Sequence, residues 1–269
     1  MSDKEYHSLD YLSGSKLKEI LRSPLHSKVE REPSPAMRFG TLAHTMFLEP
    51  DLFNKNKVIQ PKFDKRTIKG KEEAKQFEDS LKENYLVLTE EENEQLSQMR
   101  QMLSLDWDSR VRNGKSEIAI FWDLPEELRE LHSLPETKCK AKIDLLETTE
   151  NGFRIVEYKT TQDASKSEFT KQAANLKYHL SAAWYVWGLN QNTGCPMENI
   201  EYIWLAQETK KPYDWAVYKA TDETLQRGWE RVSQALEKYS LAIETDWTAG
   251  YKKETQELVL PLWELSQFE

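Results

Sequence analysis

Apolar positions recur at helical spacing through the first third of the chain. Leu17, Ile20 and Leu21 line one side of "SGSKLKEILRSP", with serines to cap the helix and Pro24 to stop it. "REPSPAM" reads as a loop. Phe39, Leu42, Ala43, Met46 and Phe47 form a stripe in "MRFGTLAHTMFLEP", which Pro50 ends. "TEEENEQLSQMRQML" opens with Thr89 and Glu92 in capping-box spacing and continues as an amphipathic helix. The period then drops to two. "SEIAIFWDL", "KCKAKIDLLE" and "FRIVEYKT" read as strands, with Asn151-Gly152 marking a hairpin between the last two. "LPEELRELHSLPE" joins the first pair through a helical turn. A three-stranded antiparallel meander is expected.

"DASKSEFTKQAANLKYHLSAAWYVWGLN" follows as one long helix opened by a Ser165–Glu168 capping box. Phe169, Ala173, Leu176, Leu180, Ala183 and Trp187 share one of its faces. "NIEYIWLAQE" is a fourth strand. Set parallel to the third, it makes the helix a right-handed crossover. "TDETLQRGWERVSQALEKYSLAIE" is a last long helix, and the tail "LVLPLW" an edge strand or a docked segment. The prediction is a mixed α/β (α+β) fold, a mostly antiparallel sheet flanked by helices. It forms one domain over 1–269, with a helical part over 1–110 and a sheet core over 111–269.

Composition narrows the function. The chain has 269 residues, 38% hydrophobic and 31% charged, and nine Trp argue against disorder. No apolar run is long enough to cross a membrane, and the N-terminus lacks a secretory layout, so a cytoplasmic protein is expected. Two cysteines are too few for an iron–sulfur cluster within the chain. Cys139, alternating with lysines, reads as a buried thiol. A net charge of −9 argues weakly against wrapping nucleic acid. Asn54 to Lys75 nevertheless holds eight Lys/Arg against three Asp/Glu.

Three charges sit where the hairpin should be apolar. Glu157 and Lys159, two apart, share a face, and the hairpin can set Asp144 beside Glu157. Two carboxylates at one spot repel, and burial raises the cost; a divalent cation removes both penalties. Oxygen ligands select Mg2+ or Mn2+. Lys159 could hold a water nucleophile or stabilise a phosphate oxygen, so the set suits metal-assisted phosphodiester hydrolysis. A surface hairpin with an ordinary ion pair is the competing reading. Glu117, in the preceding strand, and His44, on the glycine-opened "FGTLAH", could join the set; either alone reads as structural.

The Asp…Glu-x-Lys hairpin resembles the PD-(D/E)XK nuclease core. With "LSGSKLKEILRSPLH", "PSPAMRFGTLAHTMFLEP", "YHLSAAWY", "YIWLAQETKKPY" and "LVLPLW" in order, the chain resembles the exonuclease VIII (RecE-type) nuclease domain. The resemblance implies a restriction-endonuclease-like core and a processive 5′→3′ exonuclease on double-stranded DNA ends that leaves 3′ tails. It implies Mg2+, with Mn2+ able to substitute, bound mainly by Asp144 and Glu157. The carbonyl of Tyr158 would complete the site, and His44 and Glu117 would assist. It further implies a toroidal homo-oligomer, trimer or tetramer, and a RecT-like annealing partner. Tyr178 and Gln172 would contact DNA, with a core aromatic as the competing reading of Tyr178. Ser181 stands where the family usually has glutamine, and Glu157 where it often has aspartate. Lys62, Lys65, Arg66, Lys69 and Lys71 could follow phosphates in a channel or form a solvated face. A repair endonuclease of the same fold and a non-catalytic DNA-end-binding subunit are the alternatives.

Overall fold

The computed structural model describes residues 3–29 and 32–260. Helices α1 (Asp3–Ser8), α2 (Gly14–Arg22), α3 (Pro24–Ser27), α4 (Pro35–Leu48), α5 (Pro50–Asn56), α6 (Ile68–Ser80) and α7 (Glu90–Asn113) fill the first part. Three short strands interrupt them: β1 (Leu12–Ser13), β2 (Lys57–Ile59) and β3 (Leu86–Leu88). The remainder is β4 (Lys115–Asp123), α8 (Glu126–Leu131), β5 (Lys138–Thr148), β6 (Phe153–Thr161), α9 (Lys166–Asn175), α10 (Tyr178–Thr193), β7 (Ile200–Glu208), β8 (Trp215–Lys219) and α11 (Asp222–Glu244).

Strands β4, β5 and β6 form the expected antiparallel meander. β7 runs parallel to β6 and β8 antiparallel to β7, and β1 adds a short parallel pairing to β5. The sheet has six strands, and β2 and β3 form a separate parallel pair. Each face carries its own helices. Leu17 and Ile20 of α2, Leu180 and Trp184 of α10 and Leu236 of α11 cluster with Cys139, Ile143, Tyr202 and Trp204. Met46 and Phe47 of α4 and Met99, Leu103 and Trp107 of α7 cluster with Leu145, Val156, Tyr158 and Leu205. Each such side chain, taken from water, contributes about 1.5–3 kcal/mol. Cys139 is fully buried, as read from its strand.

Several expectations need correction. The long helix is two: it breaks between Asn175 and Tyr178, where Lys177 takes the left-handed conformation at φ 53°. A left-handed Lys is costly for an L-residue, and the turn swings Tyr178 toward the hairpin. Leu176, assigned to the buried face, is exposed as a result. The Ser165 hydroxyl makes no cap; instead its N–H donates to Asp163 Oδ1 at 2.7 Å. Helix α4 begins at Pro35, inside the presumed loop, capped by Ser34. Gly40 thus lies mid-helix rather than opening it. Pro24 starts a new short helix as well as ending the previous one. Strand β8 came from "WAVYK", too short to stand out. Of the tail, Leu258, Val259 and Leu260 are exposed and irregular; Pro261 to Trp263 lie outside the described residues.

Candidate active site

The hairpin strands β5 and β6 pair from Thr148 and Phe153 back to Leu145 and Val156, then part. One more step would set Asp144 opposite Glu157. On the other side of β5, Ser116 pairs with Leu145 and Ile118 with Ile143, so Glu117 stands opposite Asp144. Glu117 makes no ladder pair and has φ 56°. A left-handed non-glycine residue inside a strand is strained, and such strain gathers at functional sites. The alternation of β5 slips at the same level: Cys139, Ala141 and Ile143 join one core, Leu145 the other. The sheet therefore forks at Asp144, and three carboxylates gather where backbone pairing stops.

The Asp144 side chain fills the gap left by the ladder. Its Oδ2 accepts from the Tyr158 N–H at 2.9 Å. Tyr158 is the pivot of the site. Its carbonyl lies 2.8 Å from His44 Nε2, and its hydroxyl donates to Gln207 Oε1 at 2.7 Å in the core. Gln207 is itself fully buried and donates to Met99 O at 2.8 Å. A carbonyl only accepts, so Nε2 carries the imidazole proton and Nδ1 presents its lone pair. Nδ1 lies 3.6 Å from Asp144 Oδ2. Burial, then the Lys159 charge, lowers the His44 pKa to about 4, so the ring is neutral at pH 7.

The charges are unequally compensated. Glu117 pairs with Lys142. Glu157 Oε1 lies 2.5 Å from Lys159 Nζ, and the Tyr202 hydroxyl donates to its other oxygen. Burial works to raise the Glu157 pKa, but Lys159, the Tyr202 hydroxyl and Lys18 together outweigh it and hold the group below the ordinary range. Burial would lower that of Lys159; the Glu157 and Asp144 charges raise it instead, so it stays an ammonium. Asp144 has no direct ammonium partner among the described residues. Burial, then the Glu157 charge, lifts its pKa to about 7, and burial also raises that of Glu117.

A cation site is the physical answer to this arrangement. One ligand atom from each of His44, Glu117 and Asp144 lies within 4.8 Å of the others. Two hard carboxylate oxygens and an imidazole nitrogen with its other N–H held by a carbonyl fit a divalent metal. Glu157, expected as a main ligand, is adjacent but spoken for by Lys159 and Tyr202. The Tyr158 carbonyl, expected to complete the site, accepts from His44 here. A carbonyl has a second lone pair, so both roles are compatible.

The predicted DNA contacts divide. Tyr178 lies beside the site, its ring 5.6 Å from Lys159 Nζ. Gln172 braces it, donating to the Tyr178 hydroxyl at 3.1 Å and accepting from Thr161 at 2.7 Å. Ser181 is buried, and its Oγ would be 3.5 Å from a Cβ on Gly14, so it faces α2. Lys62, Lys65, Arg66, Lys69 and Lys71 stand exposed before and on α6. Three have local partners: Lys62 with Glu91, Arg66 with Asp64, Lys69 with Glu73.

Sequence reasoning missed Lys142, Tyr202 and Lys18. Lys18 Nζ lies 5.5 Å from the Tyr178 ring. Burial lowers its pKa to about 8, against the raising effect of Glu157. Lys142 lay two residues before Asp144, on the alternation that carries Asp144, so it was findable. Lys18 was not, because only the packing of α2 brings it near.

Residues 13–255 match the family described as a PDDEXK-like domain of unknown function, DUF3799. No curated protein matches the sequence. A structure from Eubacterium rectale named as a candidate exonuclease superposes with a TM-score of 0.58 at 17% identity, covering 99% of this chain and 98% of that one. A phage-related exonuclease from Haemophilus somnus 129PT gives a TM-score of 0.34 at 12% identity, covering 90% and 99%.

Proposed function

The chain belongs to the DUF3799 family of PDDEXK-like domains, and we propose that it is a divalent-metal-dependent nuclease that hydrolyses DNA phosphodiesters. One observation carries the reading. Of three carboxylates converging at the fork, Asp144 alone has no lysine within ion-pair distance among the described residues, and it faces the free lone pair of His44. His44, Glu117 and Asp144 would hold Mg2+, with Mn2+ able to substitute, and Glu157 borders them. A divalent ion there would supply Lewis-acid polarisation of a phosphoryl oxygen and activation of water.

The protein's own groups do the rest. Lys159, kept protonated, donates to a phosphoryl oxygen or orients water rather than acting as a base. Glu157 and Tyr202 fix the ammonium's position. Tyr178, beside both Lys159 and Lys18, offers a ring against a sugar or base. The Tyr158–Gln207 bond fixes the residue whose N–H meets Asp144 and whose carbonyl meets His44.

The RecE-type resemblance supports a finer reading: processive 5′→3′ digestion of linear duplex, 3′ tails, a toroidal trimer or tetramer and a RecT-like annealing partner. Linear duplexes labelled separately at each 5′ and 3′ end test activity and polarity together. We expect Mg2+-dependent loss of the 5′ label first, and loss of activity of at least about a hundredfold in Glu157→Ala or Lys159→Ala. Intact linear duplex with both metals would overturn the cleavage reading. Cutting of closed circular DNA would favour an endonuclease.

A further inference from the structure

We infer that the groove between α9 and α11 is a binding site for a nucleotide of single-stranded DNA, separate from the candidate metal site. The groove has a volume of about 610 Å3, within the range of small-ligand pockets. Its floor is aromatic. Phe169 and Tyr218 stack at 5.2 Å with 17° between planes. Phe169 is buried and backs the half-buried Tyr218 ring. Trp204 forms part of the same lining. It is 5% exposed, and its indole N–H has no hydrogen-bond partner.

The rim is basic. Lys166, Lys219, Arg227 and Arg231 line it, with His179 beside them, against Glu223. Lys219 is paired with Glu201 and Arg227 with Glu230. Arg231 bonds the neutral Gln234, and Lys166 has no carboxylate partner among the described residues. On a chain of net charge −9, such a concentration of cations marks a site for an anion. Burial, then the charges of Arg231, Arg227, Lys18 and Lys177, depress the His179 pKa, so the ring is neutral at pH 7, and cations run from the groove toward Lys18 beside Tyr178. The rings connect as well, since Phe169 lies 6.0 Å from Tyr178.

Flat aromatic surface with flanking guanidinium and ammonium groups is what a strand requires, base against ring and phosphate against cation. The backbone is built for close approach here. A Cβ on Gly228 would lie 2.1 Å from His179 O, so glycine lets α11 reach the start of α10 and close the groove. A single strand leaving the fork past Tyr178 would run along Lys18, Lys177, His179 and Arg231, with one base seated by Tyr218.

The test uses the full chain in EDTA, where cleavage cannot confuse binding. The probe is a short oligothymidylate carrying 5-bromouracil. Anisotropy should show binding that Arg231→Glu weakens by about tenfold and Arg231→Lys largely restores. Lys166→Glu, on an exposed side chain, should weaken it in the same direction. Photocrosslinks should map to peptides containing Tyr218 or Trp204. Unchanged affinity in both charge reversals, or crosslinks confined to other segments, would overturn the proposal. Wild-type protein that binds the oligomer at the groove yet leaves linear duplex intact with Mn2+ would uphold the groove and sink the cleavage reading alone.

Discussion

Asp144 is the residue on which the account turns. Its pKa of about 7 lies well above the ordinary aspartate value of about 3.9. Between those pH values the metal-free native chain holds a proton that the unfolded chain has released. This group therefore makes stability fall as pH rises from about 4 to about 7. Asp144→Asn removes that contribution, and denaturant titrations should find the pH-dependent loss absent in the variant. A cation needs the carboxylate, so Mn2+ affinity should rise with pH up to and through about 7. Calorimetry at about pH 6 and about pH 8 should differ by roughly tenfold; equal affinities would count against Asp144 as ligand. Asp144, Glu157 and Lys159 were legible because charges interrupt an apolar alternation. The division of labour among the carboxylates was not, because it depends on which lysine reaches which oxygen.

At the scale of elements, the hairpin is held by charge on one side of the fork and by Tyr158 on the other. Glu147 accepts from Arg110 at 2.6 and 2.7 Å, and Arg154 lies 3.3 Å away. Burial pushes the Glu147 pKa up, but the two guanidiniums outweigh it and hold it below the ordinary range. Its stabilisation is present above the unfolded glutamate pKa and is lost as pH falls through the lower, folded value. Glu147→Gln should cost about 1–3 kcal/mol near pH 7, the gap from wild type closing in acid. Tyr158→Phe strands the buried Gln207 oxygen and should cost about 1–3 kcal/mol in thermal or chemical unfolding. A smaller loss would mean that Gln207 finds another donor. Strands β4, β5 and β6 announced themselves by period two, and helices α2, α4 and α7 by caps or stripes; β8 and the short strands did not. The break at Lys177 did not, since Phe169 through Trp187 fit one continuous stripe and nothing in the local sequence marks a left-handed lysine.

Over the whole molecule, the sheet separates two cores, and the candidate site lies where they meet. α4 brings His44 from one layer; α2 and α10 bring Lys18 and Tyr178 from the other. No single segment contains the site, which is why the hairpin half was readable and the helical half rested on resemblance. Among the described residues no helix is long and apolar enough to cross a membrane. The most direct measurement is anomalous diffraction from a crystal soaked in Mn2+. The account predicts a manganese peak between the side chains of His44, Glu117 and Asp144, lost in Asp144→Asn. A well-ordered fork with no peak there, at saturating Mn2+, would contradict it.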